Sequence, residues 1–277
     1  MSIELVIAFI LLGTFVGVMA GLLGIGGGGI LVPVLTTIFI FQGVAKESGV
    51  HLALGTSMAC IALTSFSSMR SHHKNGAVIW PLAKIMSVGM IIGTFSATFL
   101  TAYLSSKALA IFFVIFMAYV SVQMFRKQKA RSGSNEIQIN NKTELTLVTL
   151  GIGAISALVS IGGGSLTVPY LTWRGIDIRN AIGTSAALGF YISIAGTLGF
   201  IINGLINMPS SGMPNPGASQ YTLGYIYLPA LLLVAVPSYF TAPLGAKLTQ
   251  RLPIQTLKKI FGVLLMILSL KMAMSFI

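Results

Sequence analysis

Charge is scarce in this chain. Asp, Glu, Lys and Arg together make up 8% of its 277 residues, 55% are hydrophobic, and mean hydropathy is +0.91. Soluble domains carry about 25% charged residues, so a soluble globule is excluded and a polytopic membrane protein is expected. Acids are scarcest of all: Glu4, Glu47, Glu136, Glu144 and Asp177 are the full set. None lies centrally in a long apolar run, which argues against a proton relay through a buried carboxylate and suits an anion better than a cation. Cysteine is limited to Cys60, itself in an apolar run. That excludes a disulfide framework and a multi-thiolate metal site within one chain. An intramembrane enzyme would need a nucleophile–base pair or a metal constellation at depth, and Cys60 has no evident His or carboxylate partner there. No cofactor motif is present. Gly26-Gly27-Gly28-Gly29 is not a phosphate loop, because no Lys-Ser/Thr follows it. The adjacent pair His72 and His73 lies in a basic stretch, where a solvated loop is expected rather than a metal site.

Lys and Arg outnumber the acids, giving a formal net charge of +12. In a soluble protein that would suggest nucleic acid; here no nucleic-acid partner is expected, and the charge instead records orientation in a lipid bilayer. The start, Met1-Ser2-Ile3-Glu4, lacks a basic n-region, and the first apolar run exceeds a signal-peptide core. It reads as a retained transmembrane segment.

What the chain does have is a statement made twice. Gly24-Ile25-Gly26-Gly27-Gly28-Gly29-Ile30-Leu31-Val32-Pro33 returns as Ser160-Ile161-Gly162-Gly163-Gly164-Ser165-Leu166-Thr167-Val168-Pro169, at an offset of 136. Each copy is followed by a Gly-Thr-Ser triplet, Gly55-Thr56-Ser57 and Gly183-Thr184-Ser185. At an offset of 148, Pro81 matches Pro229, Leu104 matches Leu252, Phe113 matches Phe261 and Met124 matches Met272. Indels account for the change of offset, among them a longer second-half loop that includes residues 207–217.

Apolar runs near the roughly 20 residues needed to span a bilayer fall at 3–23, 30–43, 50–69, 78–101 and 106–125, then at 144–160, 165–174, 181–203, 223–246 and 254–276. The expected fold is all-α, with two inverted-topology repeats of five segments each and broken helices at the glycine motifs. Residues 1–125 form the first membrane repeat, 126–143 a basic cytoplasmic linker, and 144–277 the second repeat. The segments at 30–43 and 165–174 are short enough to be half-helices. Placing the linker in the cytoplasm puts 14 of the 17 basic residues on that side and leaves only Lys46, Lys107 and Lys271 outside. The positive-inside tendency selects this parity, so both termini are expected outside.

Consecutive glycines cost about 1 kcal/mol each in a helix relative to Ala, and unwound backbone at membrane depth must be buried or face a cavity. The residues after each run can start a new helix, whose first N–H groups lack intrahelical partners and favour an anion. The candidate substrate site is therefore Gly26, Gly27, Gly28, Gly29, Gly162, Gly163, Gly164 and Ser165. The triplets add Gly55, Thr56, Ser57, Gly183, Thr184 and Ser185, whose hydroxyls either donate to an anion or bond back to their own helix. Gly13, Gly17, Gly21, Gly151 and Gly153 fit close helix packing. Pro33 and Pro169 are expected to kink or end the short helices. His51 falls near the outer end of a span. Lys84, Lys258 and Lys259 suit snorkelling to an interface.

The paired motifs Gly21-Leu22-Leu23-Gly24-Ile25-Gly26-Gly27-Gly28 and Ala157-Leu158-Val159-Ser160-Ile161-Gly162-Gly163-Gly164, each with a downstream Pro and Gly-Thr-Ser, resemble the sulfite exporter TauE/SafE family. The likeness runs from about residue 5 to 275. It implies a bacterial inner-membrane permease of two homologous halves, of the kind linked to export of sulfite, sulfoacetate or other organosulfonates. The expected function is secondary transport of a small anion with alternating access between rocking halves, and the resemblance implies an outward direction. An anion channel using the same site is the alternative. No cofactor is expected, and the coupling ion and oligomeric state are not given by the sequence.

Overall fold

The computed structural model describes residues 2–125, 142–207, 221–251 and 254–276. The basic run at 126–131 and the loop at 208–217 fall outside the described residues. Ten helices follow the apolar runs: α1 (Ile3–Leu23), α2 (Gly28–Phe41), α3 (Lys46–Lys74), α4 (Trp80–Tyr103), α5 (Ser106–Phe125), α6 (Lys142–Val159), α7 (Gly164–Trp173), α8 (Ile178–Asn207), α9 (Leu228–Arg251) and α10 (Ile254–Phe276). Six of these, α1, α3, α4, α5, α8 and α9, are long and apolar enough to cross a membrane. A two-residue hairpin, β1 (Thr222–Leu223) and β2 (Ile226–Tyr227), stands where the sequence reading began the ninth segment. Apolar content runs on through residues 223–227, so hydropathy alone does not separate the hairpin from the helix after it.

Local chemistry sets the helix ends. α1 carries Glu4 in its first turn, next to the positive pole of the helix dipole. It stops at Gly24, which is left-handed (φ 67°) and donates its N–H to the Ala20 carbonyl at 2.9 Å. α4 opens on Pro81 in its first turn, where a missing N–H costs nothing. α2 and α7 continue through Pro33 and Pro169 rather than ending there. Beside these prolines, Thr37 donates to the Pro33 carbonyl at 2.8 Å, and Thr172 donates to the carbonyls of Val168 (2.9 Å) and Pro169 (3.0 Å).

The two halves interlock by exchanging the same contacts. α1 packs parallel to α9, with Gly13 against Val234, Gly17 against Ser238 and Gly21 against Ala242. α6 packs on α4 in the same way: Gly153 lies against Met90, and Thr94 donates to the Gly153 carbonyl at 3.0 Å. Gly17 and Gly153 are 136 residues apart, and Met90 and Ser238 are 148 apart, so the two packings are equivalents built with the halves swapped. A missing side chain lets the backbones close to contact at these positions. Gly151 faces open space instead.

α2 and α7 double back. Arg174 at the end of α7 forms an ion pair with Glu144 at the start of α6 (2.8 Å), while its guanidinium lies 5.5 Å from the Tyr170 ring centroid. At the end of α2, the Phe39 ring meets Tyr227 edge-on at 5.6 Å, beside the start of α9. α5 and α10 run antiparallel, with Ser121 donating to the Gly262 carbonyl (2.7 Å) and Ser269 to that of Val114 (3.1 Å). The start of α1 and the end of α10 therefore lie at one end of the bundle. The residues flanking the 126–141 segment lie at the other.

Candidate substrate site

The two glycine motifs fold as breaks of four residues each. In the first, Gly24, Gly26 and Gly27 have φ of 67°, 75° and 85°, a region L side chains rarely adopt. In the second, Ser160 (φ 45°) and Gly163 (φ 73°) play that part. Ser160 stands where the first half has Gly24 and is the one non-glycine with positive φ among the described residues. Gly27 and Gly163 are the N-caps of α2 and α7.

The breaks meet tip to tip. A Cβ added at Gly26 would stand 3.0 Å from the Gly162 Cα, and one at Gly162 would stand 3.2 Å from the Gly26 Cα. Gly28 rests on the Ser160 carbonyl, with 2.8 Å from its Cβ position to the carbonyl carbon. Gly164 rests on the Gly24 carbonyl in the equivalent way, at 2.7 Å. Ile61 of α3 covers the tips, its methyls within 3.0 Å of Cβ positions at Gly26 and Gly28. Gly29 faces Met117 and Leu265.

Past the breaks, the first helical bonds run from Ile30 and Leu31 to the Gly27 carbonyl, and from Leu166 and Thr167 to the Gly163 carbonyl. The amides of Gly26, Gly27, Gly28, Gly29, Gly162, Gly164 and Ser165 have no acceptor among the described residues. The buried hydroxyls of Ser57 and Thr167 likewise have no partner among them. A cleft lined by Leu23, Ile25, Gln123, Met124, Gly164, Val168 and Pro169 reaches the breaks at Ile25 and Gly164. Bare amides at two adjoining helix N-termini carry partial positive charge, which favours negative charge nearby.

Both triplets join the halves, and Ser185 of the second lies beside the first break. Ser185 donates to the Gly24 carbonyl at 3.0 Å. Thr56 accepts the Tyr227 N–H, and Thr184 accepts the Ile79 N–H, both at 3.0 Å. Gly55 lies under the Tyr225 carbonyl and Gly183 under that of Ala77. Hydropathy and motif spacing carry no signal for these contacts, because each joins segments more than 100 residues apart.

The family model for the sulfite exporter TauE/SafE family matches residues 9–272. The chain belongs to the sulfite exporter TauE/SafE family. A Haemophilus influenzae protein described as a probable membrane transporter protein is 36% identical over 265 residues, covering 95% of this chain and 96% of that one. A Methanocaldococcus jannaschii protein with the same description is 26% identical, covering 95% and 93%. The Bacillus subtilis probable membrane transporter YunE is 25% identical, covering 95% of both chains. No solved structure matches. This TauE/SafE chain is a multi-pass membrane transporter.

His72 departs from the sequence reading. His72 was expected in a solvated loop, but α3 runs on to Lys74 and turns His72 inward. It is fully buried, with Nε2 2.9 Å from the Gly21 carbonyl near the end of α1. His73 accepts the Trp80 indole N–H at 3.0 Å. His51 is buried as well, its ring nitrogens 3.1 Å from the Ser106 hydroxyl and 2.9 Å from the Thr101 carbonyl. Its ring lies 5.4 Å from that of Tyr225.

Proposed function

We propose that this TauE/SafE transporter moves a small oxyanion, sulfite or an organosulfonate, bound where the two helix breaks meet. The amides of Gly28, Gly29, Gly164 and Ser165, bare among the described residues and free of any carboxylate neighbour in the motif, carry this reading. Together with Gly26, Gly27, Gly162 and Gly163 they replace part of the anion's hydration shell. The free Ser57 hydroxyl supplies a further donor. The breaks lie near mid-bilayer, and the halves insert with opposite orientation in a bacterial inner membrane. The end of the bundle bearing Arg70, Lys74 and Arg174 faces the cytoplasm, so both termini lie outside. The direction is outward, as the family name suggests.

Uptake into proteoliposomes, measured across sulfite, sulfonates, sulfate and chloride with and without a pH gradient, tests the proposal. Sulfite or a sulfonate is expected to move uphill when a gradient is imposed. Flux that only dissipates gradients would make the protein an anion channel, and flux of none of these anions would remove the substrate class. Ser57→Ala is expected to raise the half-saturating anion concentration at least about ten-fold, the loss of one hydrogen bond to a charged group.

A further inference from the structure

The glycine–threonine part of each triplet makes the same clasp twice. In one, the Thr56 hydroxyl of α3 accepts the Tyr227 N–H at 3.0 Å, and Gly55 leaves room for the Tyr225 carbonyl. In the other, the Thr184 hydroxyl of α8 accepts the Ile79 N–H at 3.0 Å, and a Cβ at Gly183 would stand 2.5 Å from the Ala77 oxygen. Ala77 and Ile79 precede Tyr225 and Tyr227 by 148 residues, and Thr56 precedes Thr184 by 128. Each half thus offers a seat, and the segment leading into the fourth helix of the other half occupies it.

The two clasps sit at opposite ends of the bundle. At one end, Tyr225 donates its N–H to the Phe200 carbonyl at the far end of α8 (3.3 Å), and its ring lies tilted against that of His51 near the start of α3. At the other, Ala77 donates to the His72 carbonyl at the end of α3 (3.0 Å). Both captured amides belong to helix-start segments, whose leading N–H groups water can satisfy if a seat opens. Seat and site adjoin in the sequence. The next residue after Thr184 is Ser185, tied to the Gly24 carbonyl of the first break, and the next after Thr56 is Ser57, whose hydroxyl is free among the described residues.

We propose that Thr56 and Thr184 are positioning residues of the transport cycle, each holding shut one face of the path to the breaks, so that the two clasps open in turn. This rests on alternating access, not on the identity of the anion. The native thiol of Cys60 reports on it. Cys60 is buried on α3, with its Sγ 4.0 Å from the Leu231 carbonyl, one turn beyond Tyr227 on α9. Opening the Thr56 clasp frees the start of α9 from α3 and uncovers the thiol.

The test is the rate at which a maleimide labels Cys60 in the full-length protein in proteoliposomes. Thr56→Val keeps the shape and removes the acceptor; it is expected to raise the rate about five-fold, the population shift from one lost hydrogen bond. Thr184→Val favours opening of the other face and is expected to lower it, while Thr56→Ser, which keeps the hydroxyl, restores the wild-type rate. A purely structural role would raise labelling in both valine variants. Where Cys60 labels at a measurable rate, equal changes in both, or no change in either, would overturn the proposal. If Cys60 stays unreactive in every variant, hydrogen–deuterium exchange over residues 74–83 and 221–231 decides: each valine variant must speed exchange in its own segment and slow it in the other. These readouts need no substrate, so the anion assignment can fail in the flux assay while the clasps stand.

Discussion

Adding one methyl group at Gly164 is expected to damage the protein far more than adding one at Gly29. Both residues are in the first turn after a break, and both have ordinary helical φ, so the difference is one of space alone. A Cβ at Gly164 would stand 2.7 Å from the Gly24 carbonyl carbon and 2.7 Å from the Ile25 Cα. Comfortable carbon–carbon separation is about 3.5–4.0 Å, so one break must retreat from the other by roughly 1 Å. Its neighbours are backbone, which cannot rotate away. At Gly29 the Cβ would meet the Met117 Cε at 2.6 Å and the Leu265 Cδ2 at 3.1 Å, the ends of flexible side chains. The second half carries Ser165 at the equivalent position, so a Cβ is already accommodated there. Overpacking a rigid contact costs about 1–3 kcal/mol. Gly164→Ala is placed at the top of that range, and Gly29→Ala below about 1 kcal/mol. At about 2–4 °C per kcal/mol for a chain of this order of size, Gly164→Ala should lower the melting temperature in detergent by about 6–12 °C. Gly29→Ala should lower it by no more than about 4 °C. Equal melting temperatures for the two variants, or the reverse order, would refute the tip-to-tip packing.

Two further variants probe the same region by thermal unfolding. Ser160→Gly relieves a left-handed backbone at a serine and is expected to stabilise by about 1 kcal/mol; an unchanged or lowered melting temperature would contradict that conformation. Ser185→Ala leaves the buried Gly24 carbonyl without its side-chain donor and is expected to cost about 1–2 kcal/mol. Ser57→Ala removes no hydrogen bond among the described residues and should leave the melting temperature nearly unchanged, so a loss equal to that of Ser185→Ala would show that Ser57 is tied down.

Much of this architecture is written in the sequence. Long apolar runs fix where helices form, and a run of glycines is so costly in a helix that a break was expected at Gly26 to Gly29; it falls at 24–27, and Gly28 and Gly29 open α2 instead. The repeat pointed to a second interruption at Gly162 and Gly163. What stayed hidden depends on which helices become neighbours. Gly55 and Thr56 read equally well as ligands or as ordinary residues of a membrane helix until Tyr225 and Tyr227 are found seated on them. His72 looked solvated because polar, basic residues surround it, and its burial is decided by the turn of α3 that brings it to Gly21. The 221–227 hairpin is as apolar as the helix it precedes, so its doubling back leaves no trace in hydropathy.

The exchange of contacts also bears on how such a chain came to exist. Neither half can complete its own seat: Thr56 waits for an amide that only the second half carries, and Thr184 for one that only the first half carries. A half-length ancestor would have needed a twin, docked head to foot, before it could close at either end. Carrying both halves in one chain makes that pairing permanent, and the copies differ where Gly24 faces Ser160 and Gly29 faces Ser165 in the repeat.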